Sequence, residues 1–146
     1  MKQRMRKKLA GRLVEAATFG ETSRIEELLS AGADPGYPDG QGTTPLYAAS
    51  VHGAAPVVRL LLRAGADPDA ESGVGLSEGT PLCAAAWWGH TEAVRALLEA
   101  GADPGRREDA GEGRSPREWA TAGAHPEIAA LLEGIVPLSA VPGRRA

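Results

Sequence analysis

The sequence predicts an all-α chain, a solenoid of about four helix-turn-helix repeats with two central units and two capping ones. Three observations carry this. Short apolar-periodic segments come in pairs, with a glycine turn inside each pair and a glycine stop after it. The pairs recur at nearly fixed spacing. Thr44 to Thr80 is 36 residues and Thr80 to Ser115 is 35, while Gly32 to Gly65 is 33 and Gly65 to Gly101 is 36. Finally, alanine supplies much of the apolar content and aromatics are only 4% of the chain. Such a core depends on close helix approach, which a stack of small units provides because each unit needs only its neighbours.

Residues 1–8 are polar and basic and read as an N-terminal arm that extends the first helix or frays. The first unit spans about 9–42. Leu9 to Thr18 reads as its first helix, with Leu9, Leu13, Ala16 and Ala17 on one face and Gly20 as its end. Thr22 or Ser23 is placed to cap a second helix through Ile25, Leu28 and Leu29, stopped at Gly32. The stretch from Asp34 to Gly42 holds two prolines and three glycines and reads as a connector.

The second unit, about 43–78, opens at Thr44-Pro45-Leu46. A threonine hydroxyl accepts one of the free amide hydrogens of the first turn, and proline fits just inside, where its missing N–H costs nothing. Ala48 and Ala49 follow and Gly53 ends the helix. Pro56 opens an almost wholly apolar run through Val57, Val58, Leu60, Leu61 and Leu62 to Gly65, as expected of a helix between two neighbours. The third unit, about 79–113, repeats the plan from Thr80-Pro81-Leu82 through Ala85, Ala86 and Gly89 to Ala93, Val94, Ala96, Leu97, Leu98 and Gly101. The fourth, about 114–133, begins at Ser115-Pro116. It has Arg117 where the others have leucine and no closing Gly-Ala-Asp, which suits an end unit. Residues 134–146 read as a mobile tail.

Net charge is −3, unevenly spread. Residues 1–12 carry six basic residues and no acid, whereas the remainder has 10 basic and 19 acidic residues, −9. A basic arm on an acidic body is a feature of nucleic-acid and anionic-surface binders, so that function is the alternative to protein binding. The acidic body and the lack of aromatics interleaved with the basic residues argue against it. The lone Cys83 excludes an internal disulfide and points to a reducing, cytoplasmic setting. No run reaches membrane-spanning length, and Arg12 and Glu15 interrupt the stretch a secretory signal would need.

The repeated residues resemble the ankyrin repeat. The matching elements are TPLYAA at 44–49, TPLCAA at 80–85, GHTEAVRALLEAGAD at 89–103 and the further GAD triplets at 32–34 and 65–67. The resemblance covers about 9–133 and implies helix-turn-helix units followed by projecting hairpin-like loops. It also implies a non-enzymatic module that binds a protein partner along a concave face. Tyr47 and Cys83 stand where the family often has histidine, and a proline follows each GAD.

Where a partner would bind follows from helix geometry. On the third unit's first helix, Leu82, Ala85, Ala86 and Gly89 share one face, so at about 100° per residue Trp87 and Trp88 fall off it. Two adjacent exposed tryptophans suit an interface anchor. Transposed to the earlier units, their positions are held by Thr18 and Phe19 and by Val51 and His52. The candidate site is therefore a ladder of Phe19, His52 and Trp88 with Val51 and Trp87 beside it. Gln41, Thr43 and Leu76 from the loops would form the opposite edge, with Asp39, Glu71, Ser77, Glu78, Arg106, Arg107, Glu112 and Arg114 as weaker candidates. The competing expectation is that one tryptophan packs against the enlarged loop 71–79 or under the next unit. His52, His90 and His125 recur at repeat spacing, not at zinc-ligand spacing, so no metal is expected. No phosphate loop or nucleophile elbow is present, and neither catalysis nor a cofactor is expected. The expected partner is a protein, with no small-molecule substrate. A monomer is the expected state, with pairing through exposed tryptophans as the other outcome.

Overall fold

The computed structural model describes residues 2–76 and 78–134, with backbone only for Leu76 and Ala110. The tail 135–146 and Ser77 lie outside the described residues. Among the described residues eight α-helices follow one another: α1 (Gln3–Thr18), α2 (Thr22–Ser30), α3 (Pro45–Val51), α4 (Ala55–Arg63), α5 (Pro81–Trp88), α6 (Thr91–Glu99), α7 (Pro116–Ala122) and α8 (Pro126–Leu132). No strand occurs among the described residues; Ser72 and Gly79 form one isolated antiparallel bridge. The first helices α1, α3, α5 and α7 stack in one row, and α2, α4 and α6 stack in order behind them.

The caps behave as their chemistry requires. Oγ1 of Thr44 accepts from the Tyr47 N–H and Oγ1 of Thr80 from the Cys83 N–H, each at 3.2 Å, and Oγ of Ser115 accepts from the Glu118 N–H at 3.3 Å. A proline holds the first position of each of these helices. The second helix of the first unit differs: it starts at Thr22 itself, capped at Glu21 with no side-chain bond. Helix α1 also starts earlier than apolar periodicity suggests, at Gln3, so the basic stretch is helical. Gln3 donates to the Tyr37 hydroxyl at 2.7 Å, and the Arg6 guanidinium lies 4.7 Å from the Tyr37 ring and 3.8 Å from Asp34.

Each turn between paired helices closes with the same bond. The N–H of Glu21, Ala54, His90 and His125 donates to the carbonyl of Ala16, Ala49, Ala85 and Ala120 respectively. That geometry needs a left-handed residue just before the donor. Gly20, Gly53 and Gly89 supply it, and in the fourth unit Ala124 takes it with φ 61°. Gly53 and Gly89 are needed for space as well. A Cβ on either would run into the imidazole of His90 or His125, whose Nε2 atoms bond the carbonyls of Val51 (2.9 Å) and Trp87 (3.1 Å) one unit back. The turn histidines thus join neighbouring units.

The core is small and dense. Leu13, Ile25, Leu61, Leu82, Leu97 and Ile128 are fully buried, with alanines 17, 49, 85, 86, 93 and 120 between the helices. Helix α5 is buried from Pro81 through Ala86. Arg95 of α6 is 1% exposed and meets Glu92 at 2.6 Å, while Arg59 of α4 reaches the same carboxylate at 3.6 Å. That charge pairing ties the two back helices together. The prolines after each GAD fit because the aspartate carboxylate accepts the N–H two residues on, at Gly36, Asp69 and Gly105, each at 2.9 Å. That turn makes no use of the amide proline lacks.

Candidate functional site: the aromatic groove

Burial of one face of α5 fixes where its last turn points. Ala85 and Ala86 are sealed between α3 and α7, so Trp87 and Trp88 emerge at the end of the helix, 37% and 57% exposed. Their rings meet edge to face with centroids 6.3 Å apart. Trp87 also meets Trp119 of α7 edge to face at 5.3 Å. One tryptophan therefore does pack on the next unit, and it keeps a third of its surface in solvent while doing so. Edge-to-face pairing fixes ring orientation and adds to the contact.

These rings form one wall of a groove of about 470 Å³, lined by Tyr47, Glu78, Cys83, Ala84, Trp87, Trp88, Glu108 and Trp119. The loops close its other side. Glu78 comes from the enlarged loop 71–79, and its Oε1 accepts from the hydroxyls of Thr43 and Ser72, both at 2.9 Å. Ser72 is fully buried, and its Oγ accepts the Thr44 N–H at 2.9 Å, so one hydroxyl locks the loop onto the start of α3. Glu108 arrives from the next loop and its Oε2 accepts the Trp119 indole N–H at 2.7 Å. Its other oxygen lies over Gly79, where any side chain would block it.

The electrostatics are one-sided. Among the described residues no basic side chain lines the groove. Burial pushes the Tyr47 phenol up to about 12, with the Glu78 and Glu108 carboxylates adding to the effect. Burial likewise pushes the Cys83 thiol up to about 12, against the Thr80 hydrogen bond and with Glu108 reinforcing it. Glu108 itself is raised from its ordinary value by burial, opposed by hydrogen bonds from Trp119, Cys83 and the Thr80 backbone. Arg114 sits 4.8 Å from the Trp119 ring centroid but lines the neighbouring hollow between the last loop and α7.

Of the eight residues expected to bind, the structure brings Trp87 and Trp88 into this groove and uses Thr43 to hold one of its walls. Phe19 is 71% exposed and His52 is exposed, each at the C-cap of its own helix and outside the groove lining. Val51 is half-buried and lends its carbonyl to His90. Gln41 is exposed, its N–H bonded to Asp39 at 2.9 Å. The Leu76 side chain lies outside the described residues. The groove is thus shifted toward the C-terminal units relative to the expected ladder. Tyr47, Cys83, Ala84, Glu108 and Trp119 are not among the binding candidates that the sequence supplies. A signal existed for several of them. One turn back from Trp87 and Trp88 lie Cys83 and Ala84, and the matching positions in the adjacent units are Tyr47 and Trp119. Glu108 has no such signal, because a loop curl brings it in.

Among the described residues, no three His, Cys, Asp or Glu side chains converge as a metal site, and no helix is long and apolar enough to cross a membrane. No curated protein matches the chain. The family model described as ankyrin repeats (3 copies) matches residues 13–108, which is most of the stack, from the C-terminal part of α1 through α6. With that match and the stacked helix pairs, the chain belongs to the ankyrin repeat family.

Proposed function

We propose that this protein is a non-enzymatic interaction module that takes a protein partner in the groove of Trp87, Trp88 and Trp119. Ankyrin repeats are in general protein–protein interaction modules. The observation that carries the reading here is the pair of tryptophans held side by side in solvent at the end of a fully packed helix. Exposing two large rings is unfavourable by about 25 cal/mol per Å² of apolar surface, and a partner that covers them recovers that energy. Trp119 orients Trp87, and Trp87 in turn meets Trp88, before any partner arrives, so less side-chain entropy is lost on binding. The basic face of α1 is less favoured as a binding surface, since Arg6 is already engaged by Asp34 and Tyr37.

Affinity capture from the native cell tests this. Trp87→Ala and Trp88→Ala should keep the helical circular dichroism signal and weaken capture by about 2 kcal/mol or more, a factor of about 30. Capture profiles unchanged in both variants would remove the groove as the binding surface.

A further inference from the structure

We propose that the groove selects a cationic side chain, a lysine or arginine presented by a basic segment of the partner protein. This rests on the interaction reading above and names the chemistry of its central contact. Three features converge. First, the wall is aromatic: Trp87, Trp88, Trp119 and Tyr47 all line the same space. An aromatic face attracts a cation through its quadrupole, most strongly in tryptophan. Second, among the described residues the two charged groups of the lining are both carboxylates, Glu78 and Glu108, and no basic residue lines it. Third, both carboxylates are held in place before a ligand arrives. Glu78 is fixed by the Thr43 and Ser72 hydroxyls, which share its Oε1, and Glu108 by the Trp119 indole through its Oε2. A cation entering between rings and carboxylates meets partners that need no rearrangement.

The chain already shows the affinity of one of these rings for a cation. The Arg114 guanidinium rests 4.8 Å from the Trp119 ring centroid, from the hollow next door. A lysine or arginine suits the space better than a wholly apolar residue. Its methylene stem packs on the indoles while its charged end reaches the carboxylates. An acidic residue would face Glu78 and Glu108 without any counter-charge in the lining. Burial is the main cause of the raised Tyr47 and Cys83 groups, and the carboxylates add to it, Glu78 and Glu108 at Tyr47 and Glu108 at Cys83.

The test uses the full chain and short glycine- and alanine-based peptides that differ at one pair of positions, holding lysine, arginine, norleucine or glutamate. Norleucine keeps the lysine stem and lacks the charge. Binding is followed by tryptophan fluorescence and by the three indole N–H resonances. Lysine and arginine peptides should bind about tenfold tighter than norleucine and shift the indole signals. Glutamate peptides should not bind. Glu78→Gln and Glu108→Gln, which keep an acceptor for Thr43, Ser72 or Trp119, should each weaken lysine binding severalfold and leave norleucine binding unchanged. Either variant alone suffices if the other fails the circular dichroism check.

Equal binding of lysine and norleucine overturns the cationic specificity and leaves the groove standing. No binding by any peptide, with partner capture still lost in the tryptophan variants, also overturns the cation and not the groove. Sedimentation at the same concentrations covers the remaining occupant. A salt-sensitive dimer abolished by Trp88→Ala would give the groove to the basic α1 of a second copy and overturn a foreign partner.

Discussion

At the scale of single residues, burial and charge make testable statements about the groove. Cys83 is 1% exposed and its thiol is pushed up to about 12. The thiolate is the reactive form, so at pH 8 it should be far scarcer than in a free cysteine. Iodoacetamide should therefore label native protein far more slowly than protein in urea, and equal rates would contradict the buried placement. Glu108 titrates in the opposite sense to an ordinary paired carboxylate. Its folded value is raised above the unfolded one by burial, with Asp109 adding a smaller push. Its stabilising contribution is thus full below the ordinary carboxylate range and is lost as pH rises through the raised value. Glu108→Gln should accordingly gain on the wild type in urea midpoint as pH is raised from about 4 to about 7. A difference that does not change with pH would refute the shift. The positions that sequence reasoning placed well here are those whose neighbours lie on the same helix. Trp87 and Trp88 leave the buried face because Ala85 and Ala86 occupy it. Glu108 was illegible because a carboxylate in a loop is ordinarily solvated, and only the approach of Gly79 and Trp119 makes it part of a wall.

At the scale of elements, the helix pairs are joined by repeated local devices, and their cost can be read one at a time. Thr80→Ala removes the cap of α5 and should cost about 1 kcal/mol in urea unfolding. His90→Ala removes the bond from the third unit to the Val51 carbonyl, again about 1 kcal/mol. Gly53→Ala places a methyl against the His90 ring at φ 69° and should cost more than either. Because the methyl and the ring compete for one space, Gly53→Ala and His90→Ala together should cost less than their sum. Additivity would show that the two do not meet. Ala124 is the converse case. It holds at φ 61° the position that glycine holds in the other three turns. Ala124→Gly should stabilise the fourth unit by about 0.5 to 1 kcal/mol, because the strain it relieves exceeds the added backbone freedom of glycine.

At the scale of the whole molecule, the stack is a chain of neighbours, so damage spreads from an end. Helix α7 covers one side of α5 and supplies Trp119, which orients Trp87 and holds Glu108. Deleting 116–134 should lower both the urea midpoint and the steepness of unfolding, since α5 would be left with an open apolar face. The same deletion should remove the indole–carboxylate bond and speed the alkylation of Cys83. A truncated chain with an unchanged midpoint would mean that the units fold independently, contrary to their shared core.

Sequence alone determined the repeat, its period, the threonine caps of α3 and α5 and the family, because those depend on residues close together in the chain. A threonine hydroxyl reaches an amide three residues on, and a glycine stop acts where it stands. It also placed Trp87 and Trp88 off the buried face of their helix, since a helix has fixed angular spacing, while the stack decided that Trp87 packs on Trp119. Tertiary structure decided where the groove lies along the stack. Phe19, Val51 and His52 occupy the same register as the tryptophans, yet the groove closes only where Trp119 and two loop carboxylates converge. Loops that differ in length between units bring Glu78 and Glu108 there, and no periodicity encodes how a loop folds back. The physical reason is range: local bonds are written in adjacent residues, whereas a groove is a meeting of three repeats whose contacts exist only once the stack has formed.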